Sequence, residues 1–265
     1  TPVISSAASD VYKRQIMLNR PDMLNAVNEQ LVWDLQKATE NVMNDDSVKV
    51  VILTGAGRGF SAGADLSERK ASWSGSKDAL IRGYKPSFEN IINMPKPVIA
   101  SVPGPAAGIG AALAMSCDLR VMSEDSYLLS VFSNIALVPD GGLSWFLPKF
   151  MGYAKAYEHA IEAKKILASD CLKYGIANKV VPSDQLEQIT LDWANQLAKR
   201  SSQSLNHTKR LMRESLAMSY WDTFSNEAEI QNELTVSDQN REAVKAFLEK
   251  RAVSYTHLRA HETCV

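Results

Sequence analysis

The sequence predicts an α/β fold in which strand–strand–helix units are wound in one sense, followed by a helical C-terminal region. Three observations predict it. An apolar, β-branched run at 48–54 reads as a buried strand, and further strands are expected at 98–102 and 118–123. Helical patterns alternate with these runs, which is the order of repeated units with a fixed winding sense. Beyond Ser144 helical patterns dominate. With 265 residues, 45% of them hydrophobic, the chain can bury a substantial core as one main domain.

Taken in order, Ile16, Met17 and Leu18 read as the end of a strand. Residues 25–28 lead into a helix whose apolar face carries Leu31, Leu35, Ala38 and Val42, spaced by four, three and four. The polar stretch 67–76 suits a mobile loop over a site. Residues 77–94 read as helical until Pro95 and Pro97 stop them. The strand at 98–102 precedes a short helix at 108–116, and 127–131 and 135–138 are short apolar pieces around Ser133 and Asn134. Residues 175–182 form a last strand or extended crossover among helices expected at 184–199, 204–218 and 237–250. The last pairs Ala243 with Phe247 and Val244 with Leu248 at i, i+4. A helical part this long is expected to pack on the core or on another subunit.

Two places stand out chemically. The strand at 48–54 ends in Gly55, Gly57 and Gly59 and continues as Phe60-Ser61-Ala62-Gly63-Ala64-Asp65-Leu66, a loop whose small side chains leave backbone N–H groups exposed. The strand at 98–102 runs through Gly104 and Pro105 into Gly108-Ile109-Gly110-Ala111-Ala112, a helix start with free N–H groups. Two strand ends that present such donors can hold one developing negative oxygen between them. Other glycine-loop chemistries fail. The sixth position of a dinucleotide fingerprint is Phe60 with no helix start after it, and no Gly-Lys-Ser/Thr triplet occurs.

A net charge of −1 with interspersed signs gives no electrostatic footprint for nucleic acid or membrane. The three cysteines show no disulfide spacing, so a reducing, cytoplasmic setting is expected. With no apolar run of about 18 residues and no basic start before an apolar core, neither a membrane span nor a signal peptide is expected. Residues 1–15 and 253–265 share no period with what lies between them. Both resemble translated sequencing-adapter read-through, and the natural protein is expected to span roughly 16–252. His257 and His261 at i, i+4 with Cys264 three further imitate a metal site, but there is no second ligand pair and no metal is expected. The remaining histidines, His159 and His207, lie on helix-like segments, which argues against a Ser/His/Asp triad.

Four separated stretches in a fixed order carry a family likeness: 60–66, Pro97 through Gly108, Cys117-Asp118-Leu119-Arg120, and Gly175-Ile176-Ala177-Asn178-Lys179-Val180-Val181. Over 16–251 the chain resembles the crotonase superfamily, the enoyl-CoA hydratase/isomerase family. Val138-Pro139-Asp140-Gly141-Gly142 makes it most similar to phenylacetate-pathway isomerases and enoyl-CoA isomerases. The resemblance implies a crotonase-like spiral of ββα units over 16–195, a helical trimerisation region over 196–252, trimers or dimers of trimers, and an acyl-CoA thioester as substrate. No separate cofactor is implied, since CoA is part of the substrate. By the same resemblance Ala64 and Ile109 supply the oxyanion-hole N–H groups, Asp140 is the acid–base group, and Ala62, Gly63, Ala64, Asp65 and Leu66, with Ala26 nearby, hold CoA. The two glutamates of the hydratase pattern are replaced by Ala112 and Phe132.

The expected activity is therefore a double-bond shift in an enoyl-CoA. Hydration or another reaction of the superfamily is the alternative within the class, and a catalytically silent CoA-binding or assembly protein is the alternative outside it. Phe132 and Val138 are expected to desolvate Asp140, and Phe132, Trp145 and Phe146 to form core or the wall of an acyl pocket.

Overall fold

The computed structural model describes the backbone of residues 4–10, 12–67 and 72–255, and the side chains from residue 12 onward within those ranges. His257, His261 and Cys264 lie outside the described residues. Among the described residues no helix is long and apolar enough to cross a membrane.

The chain opens with β1 (Ile4–Asp10) and β2 (Lys13–Leu18), followed by α1 (Glu29–Met43) and β3 (Val50–Gly55). Helix α1 starts where Asn28 accepts from the N–H of Leu31, and it buries Leu31, Val32, Leu35, Thr39 and Val42, the face read from the spacing. The next helical stretch, read as one helix over 77–94, is α2 (Ser76–Asp78), a π-helical Ala79–Tyr84, and α3 (Lys85–Asn93). The wide turn has a local cause. Lys85 N donates to Leu80 O, five residues back, and Pro86 has no N–H with which to resume the α ladder at once.

Then come β4 (Val98–Val102), β5 (Ala106–Ala107), α4 (Ile109–Ser116), β6 (Leu119–Ser123), β7 (Tyr127–Leu129), α5 (Leu143–Met151), α6 (Tyr153–Ile161), β8 (Ile166–Leu167), α7 (Ala168–Lys173) and β9 (Lys179–Val181). Four helices follow: α8 (Leu186–Ala198), α9 (Ser202–Glu214), α10 (Tyr220–Thr235) and α11 (Asp238–Leu248). The main sheet has the order β1-β2-β3-β4-β6-β9, and a small sheet has the order β5-β7-β8. In the main sheet only β1 is antiparallel to its neighbour.

Both faces of the main sheet are covered, which is why its central strands read as unbroken apolar runs. From β3, Val51 and Leu53 enter the larger core with α1 and α4, while Val50 and Ile52 pack with Ile99, Val121, Leu186 and Ala194 under α8. The C-terminal helices are tied to this body by charge. On α9, Lys209 reaches Asp118 at 2.8 Å and Arg213 reaches it at 2.7 Å, while Asp118 also accepts from Val98 N at 2.8 Å. Burial lowers the Lys209 ammonium below its ordinary range, and the Asp118 carboxylate opposes that shift.

Two expectations are refined. The first fifteen residues, where no period is legible, include β1 and the start of β2, because strands can be joined by backbone pairing, which needs no side-chain period. The strand expected to end near Leu18 does end there and begins at Lys13. Helix α10 falls in the region expected to be helical, but no period marks its bounds. Its aromatic residues Tyr220, Trp221 and Phe224 remain exposed and only Ile230 is buried, so it carries no core stripe.

Candidate active site

The two glycine-rich stretches meet because the loop after β3 is stitched to the strand before α4. Phe60 N and Ser61 N both donate to Pro105 O, at 3.0 and 3.1 Å, and Ala107 N donates to Ser61 O at 2.8 Å. A second seam joins Ala64 to Val27: Val27 N donates to Gly63 O at 2.7 Å and Asp65 N to Val27 O at 3.0 Å.

These seams press Gly63 against Gly108. Both have left-handed backbones, φ +95° and +52°, and a Cβ on Gly63 would lie 2.9 Å from Ala107 O and 3.6 Å from the Cα of Gly108. The residues that follow are Ala64 and Ile109. Ile109 is the first residue of α4, whose leading N–H groups have no partner inside the helix. Among the described residues neither Ala64 N–H nor Ile109 N–H donates to a backbone carbonyl. Two unused donors thus follow directly on two touching glycines.

Asp140 stands in the turn that leads into α5. It is half-buried, with Oδ1 shielded from solvent, and its carbonyl accepts from Leu143 N at 3.1 Å. The next residue, Gly141, lies flat on α4: a Cβ there would come within 2.6 Å of Ala112 Cβ and 2.7 Å of Ile109 Cδ1. The Asp140 turn therefore rests on the same helix start that presents the Ile109 N–H. A largely apolar cleft of about 530 Å³ opens beside it, lined by Tyr84, Phe88, Gly141, Gly142, Trp145 and Phe146. Another cavity, of about 580 Å³, lies between α9, α10 and α11 and includes His207 and Phe224, away from both donors.

The other sequence-selected residues fall into place unevenly. Phe132 is buried, and its ring tip would lie 3.8 Å from a Cβ on Gly108. Ala112 is fully buried under Gly141. Val138 does not shield Asp140, since 78% of it is exposed: it lies past the turn that ends the Phe132–Ile135 helical segment and faces outward. Ala62 and Leu66 are exposed, Ala64 is half-buried, and Ala26 and Gly63 are buried.

Asp65 is buried and committed to protein partners, Arg20 Nη1 at 3.0 Å and the Ser67 hydroxyl at 2.6 Å. The Ser67 hydrogen bond, with Arg20 adding to it, holds the Asp65 carboxyl below its usual range against the opposing effect of burial. Its stabilising contribution is present at neutral pH and is lost as the pH falls from the ordinary carboxylate range down through that lowered value. Arg20 was not singled out from sequence, because its partner lies 45 residues away.

Nucleophilic alternatives find no support in these geometries. Burial pushes the thiols of Cys117 and Cys171 up to about 12, so neither is a thiolate at neutral pH. His159 Nδ1 lies 3.2 Å from Lys164 O, and His207 faces Glu233 at 3.6 Å, so neither stands between a serine and an aspartate.

Known proteins are similar to this chain along nearly its whole length. A family model described as Enoyl-CoA hydratase/isomerase matches residues 13–258. A probable enoyl-CoA hydratase of Rhodobacter capsulatus is 33% identical over 241 residues, covering 91% of this chain and 93% of that one. The 1,2-epoxyphenylacetyl-CoA isomerase of Escherichia coli is 32% identical, with 91% and 94% covered. Among solved structures, an enoyl-CoA hydratase from Bacillus anthracis superposes with a TM-score of 0.90 at 28% identity, covering 96% of this chain and 98% of the other. With a family model spanning both glycine stretches, the Asp140 turn and the C-terminal helices, the chain belongs to the enoyl-CoA hydratase/isomerase family of the crotonase superfamily.

Proposed function

We propose that this enzyme shifts a double bond in an enoyl-CoA thioester. The N–H groups of Ala64 and Ile109 hold the thioester oxygen as it becomes an enolate, and Asp140 takes a proton from one carbon and returns it to another. The observation that carries the reading is the contact between Gly63 and Gly108, which brings the two unused donors together beside the Asp140 turn. The CoA portion runs along Ala62, Gly63, Ala64, Asp65 and Leu66, near Ala26, and makes its contacts with backbone because the Asp65 carboxylate is already engaged by Arg20 and Ser67. The apolar cleft at Phe88, Trp145 and Phe146 receives the acyl group.

Hydration is the second reading, because the Rhodobacter capsulatus relative bears a hydratase name. Adding water needs one group to deprotonate it and another to deliver a proton, and Ala112 and Phe132 do neither. Incubation with a 3-enoyl-CoA should give the 2-enoyl-CoA at a far higher rate than a 2-enoyl-CoA gives its 3-hydroxy product, both followed by the absorbance of the conjugated thioester. Rapid hydration would overturn the isomerase reading. No turnover of either substrate, with tight CoA-thioester binding, would point to the silent-binder alternative.

We also propose that the enzyme acts as a homotrimer or a dimer of trimers. On α10, Tyr220, Trp221 and Phe224 are 71%, 72% and 53% exposed, and they form one cluster with ring centroids 5.0 to 6.4 Å apart. On α6, Tyr153 and Tyr157 stack at 5.6 Å and are also exposed. Such aromatic patches are costly to leave in water and mark interfaces. Light scattering on the eluting protein should give a mass of three or six chains, and Trp221→Asp should lower it to that of one. A wild-type mass of one chain at micromolar concentration would exclude the assembly.

A further inference from the structure

We infer that Arg20, Asn25 and Asp65 form a positioning clamp that fixes the direction of the Ala64 N–H. The inference rests on the oxyanion role proposed above and adds the residues that make it possible. A backbone donor has no rotamer of its own, so its aim is set by the peptide units on either side. Here those units are Gly63–Ala64 and Ala64–Asp65, and each is hydrogen-bonded to Val27.

The segment carrying Val27 is itself held by Arg20. Arg20 Nη1 donates both to Ala26 O and to Asp65 Oδ2, so one guanidinium joins the residue before Val27 to the residue after Ala64. Behind it, Arg20 N donates to Asn25 Oδ1 at 2.9 Å and Asn25 N donates back to Arg20 O at 2.9 Å. Asn25 is fully buried at φ 56°, a left-handed conformation that asparagine tolerates better than most side chains. Its side-chain Nδ2 donates to Ala56 O at 2.9 Å and Gly59 O at 2.8 Å, and its backbone carbonyl accepts from the Ser61 hydroxyl at 2.9 Å. The loop from Ala56 to Asp65 is thereby fastened to the 20–27 segment at both ends.

A buried carboxylate is an expensive way to close a surface turn, for which an Asn or Ser would serve. What the ion pair adds is rigidity across two segments at the place where a donor must stay on target, and an error of about 1 Å there is worth on the order of 100-fold in rate.

The test uses the full chain and a cinnamoyl-CoA bearing a para-amino donor, whose absorption moves to longer wavelength as its thioester carbonyl is polarised. The wild type should show this red shift. Asp65→Asn and Arg20→Gln should lose about half of it or more, while binding the probe within about threefold of wild type. On substrate, kcat should fall about 10- to 100-fold with KM nearly unchanged, and Arg20→Lys should recover part of both readouts. A purely structural role would lower thermal stability but leave the red shift of the folded, bound variants intact, and that result would overturn the clamp. Should Asp65→Asn fail to fold, the Arg20 pair decides alone, since that side chain is 21% exposed. Absence of a red shift in the wild type would instead remove the oxyanion reading, and the clamp with it.

Discussion

Asp140→Asn is expected to bind a CoA thioester as the wild type does and to isomerise an enoyl-CoA about 10²- to 10⁴-fold more slowly, the range over which general acid–base groups act. The substitution preserves shape and the Asp140 carbonyl that accepts from Leu143 N, so the turn into α5 should survive. What it removes is a base. Moving a double bond requires one group that can accept a proton at one carbon and release it at another, and a single carboxylate suffices. Asp140 has the placement for this, with Oδ1 shielded from solvent and its neighbour Gly141 resting on Ile109 and Ala112. The loss should appear in kcat and kcat/KM alike, with binding of a saturated acyl-CoA unchanged. A folded Asp140→Asn variant that isomerises at the wild-type rate would take the proton-transfer role away from this residue.

Much of the fold was legible because burial writes itself into sequence. The β3 run was readable since both faces of the sheet are covered, and α1 was readable because Leu31, Leu35 and Val42 all face one core. Where burial is absent, the text is silent. Helix α10 exposes its aromatic residues and so left no period to read. The site divides along the same line. Gly63 and Gly108 were conspicuous because close backbone approach demands glycine, and the two do meet across the fold, whereas Gly141 was legible only within the stretch that carries the family likeness. Arg20 was invisible, because nothing in an isolated Asn-Arg-Pro announces an ion pair with a carboxylate 45 residues on. Val138 misled for a simpler reason: a valine next to a functional turn suggests shielding, yet a residue past a helical segment's end can point either way, and this one points out.

Ala64→Pro is expected to lower kcat by on the order of hundreds-fold, about 3–4 kcal/mol of transition-state stabilisation, because proline deletes the N–H outright. Truncating a side chain cannot make this test, since the donor is backbone. The substitution carries a structural risk, as Ala64 follows Gly63 at φ +95° and pairs with Val27. Its counterpart, Ile109→Pro, carries less. Ile109 is the first residue of α4, the helical position where proline is best tolerated. The cost there is the Ile109 side chain, which packs against Gly141, so melting temperature must be followed in parallel. If both donors hold one oxygen, each variant should lose a similar factor in kcat and the double variant less than the product, because a hole with one donor left is already mostly disabled. Both should bind a saturated acyl-CoA much as the wild type does, since that ground state develops no oxyanion. A folded Ile109→Pro enzyme with near-normal turnover would place the oxyanion elsewhere, whatever Ala64→Pro does.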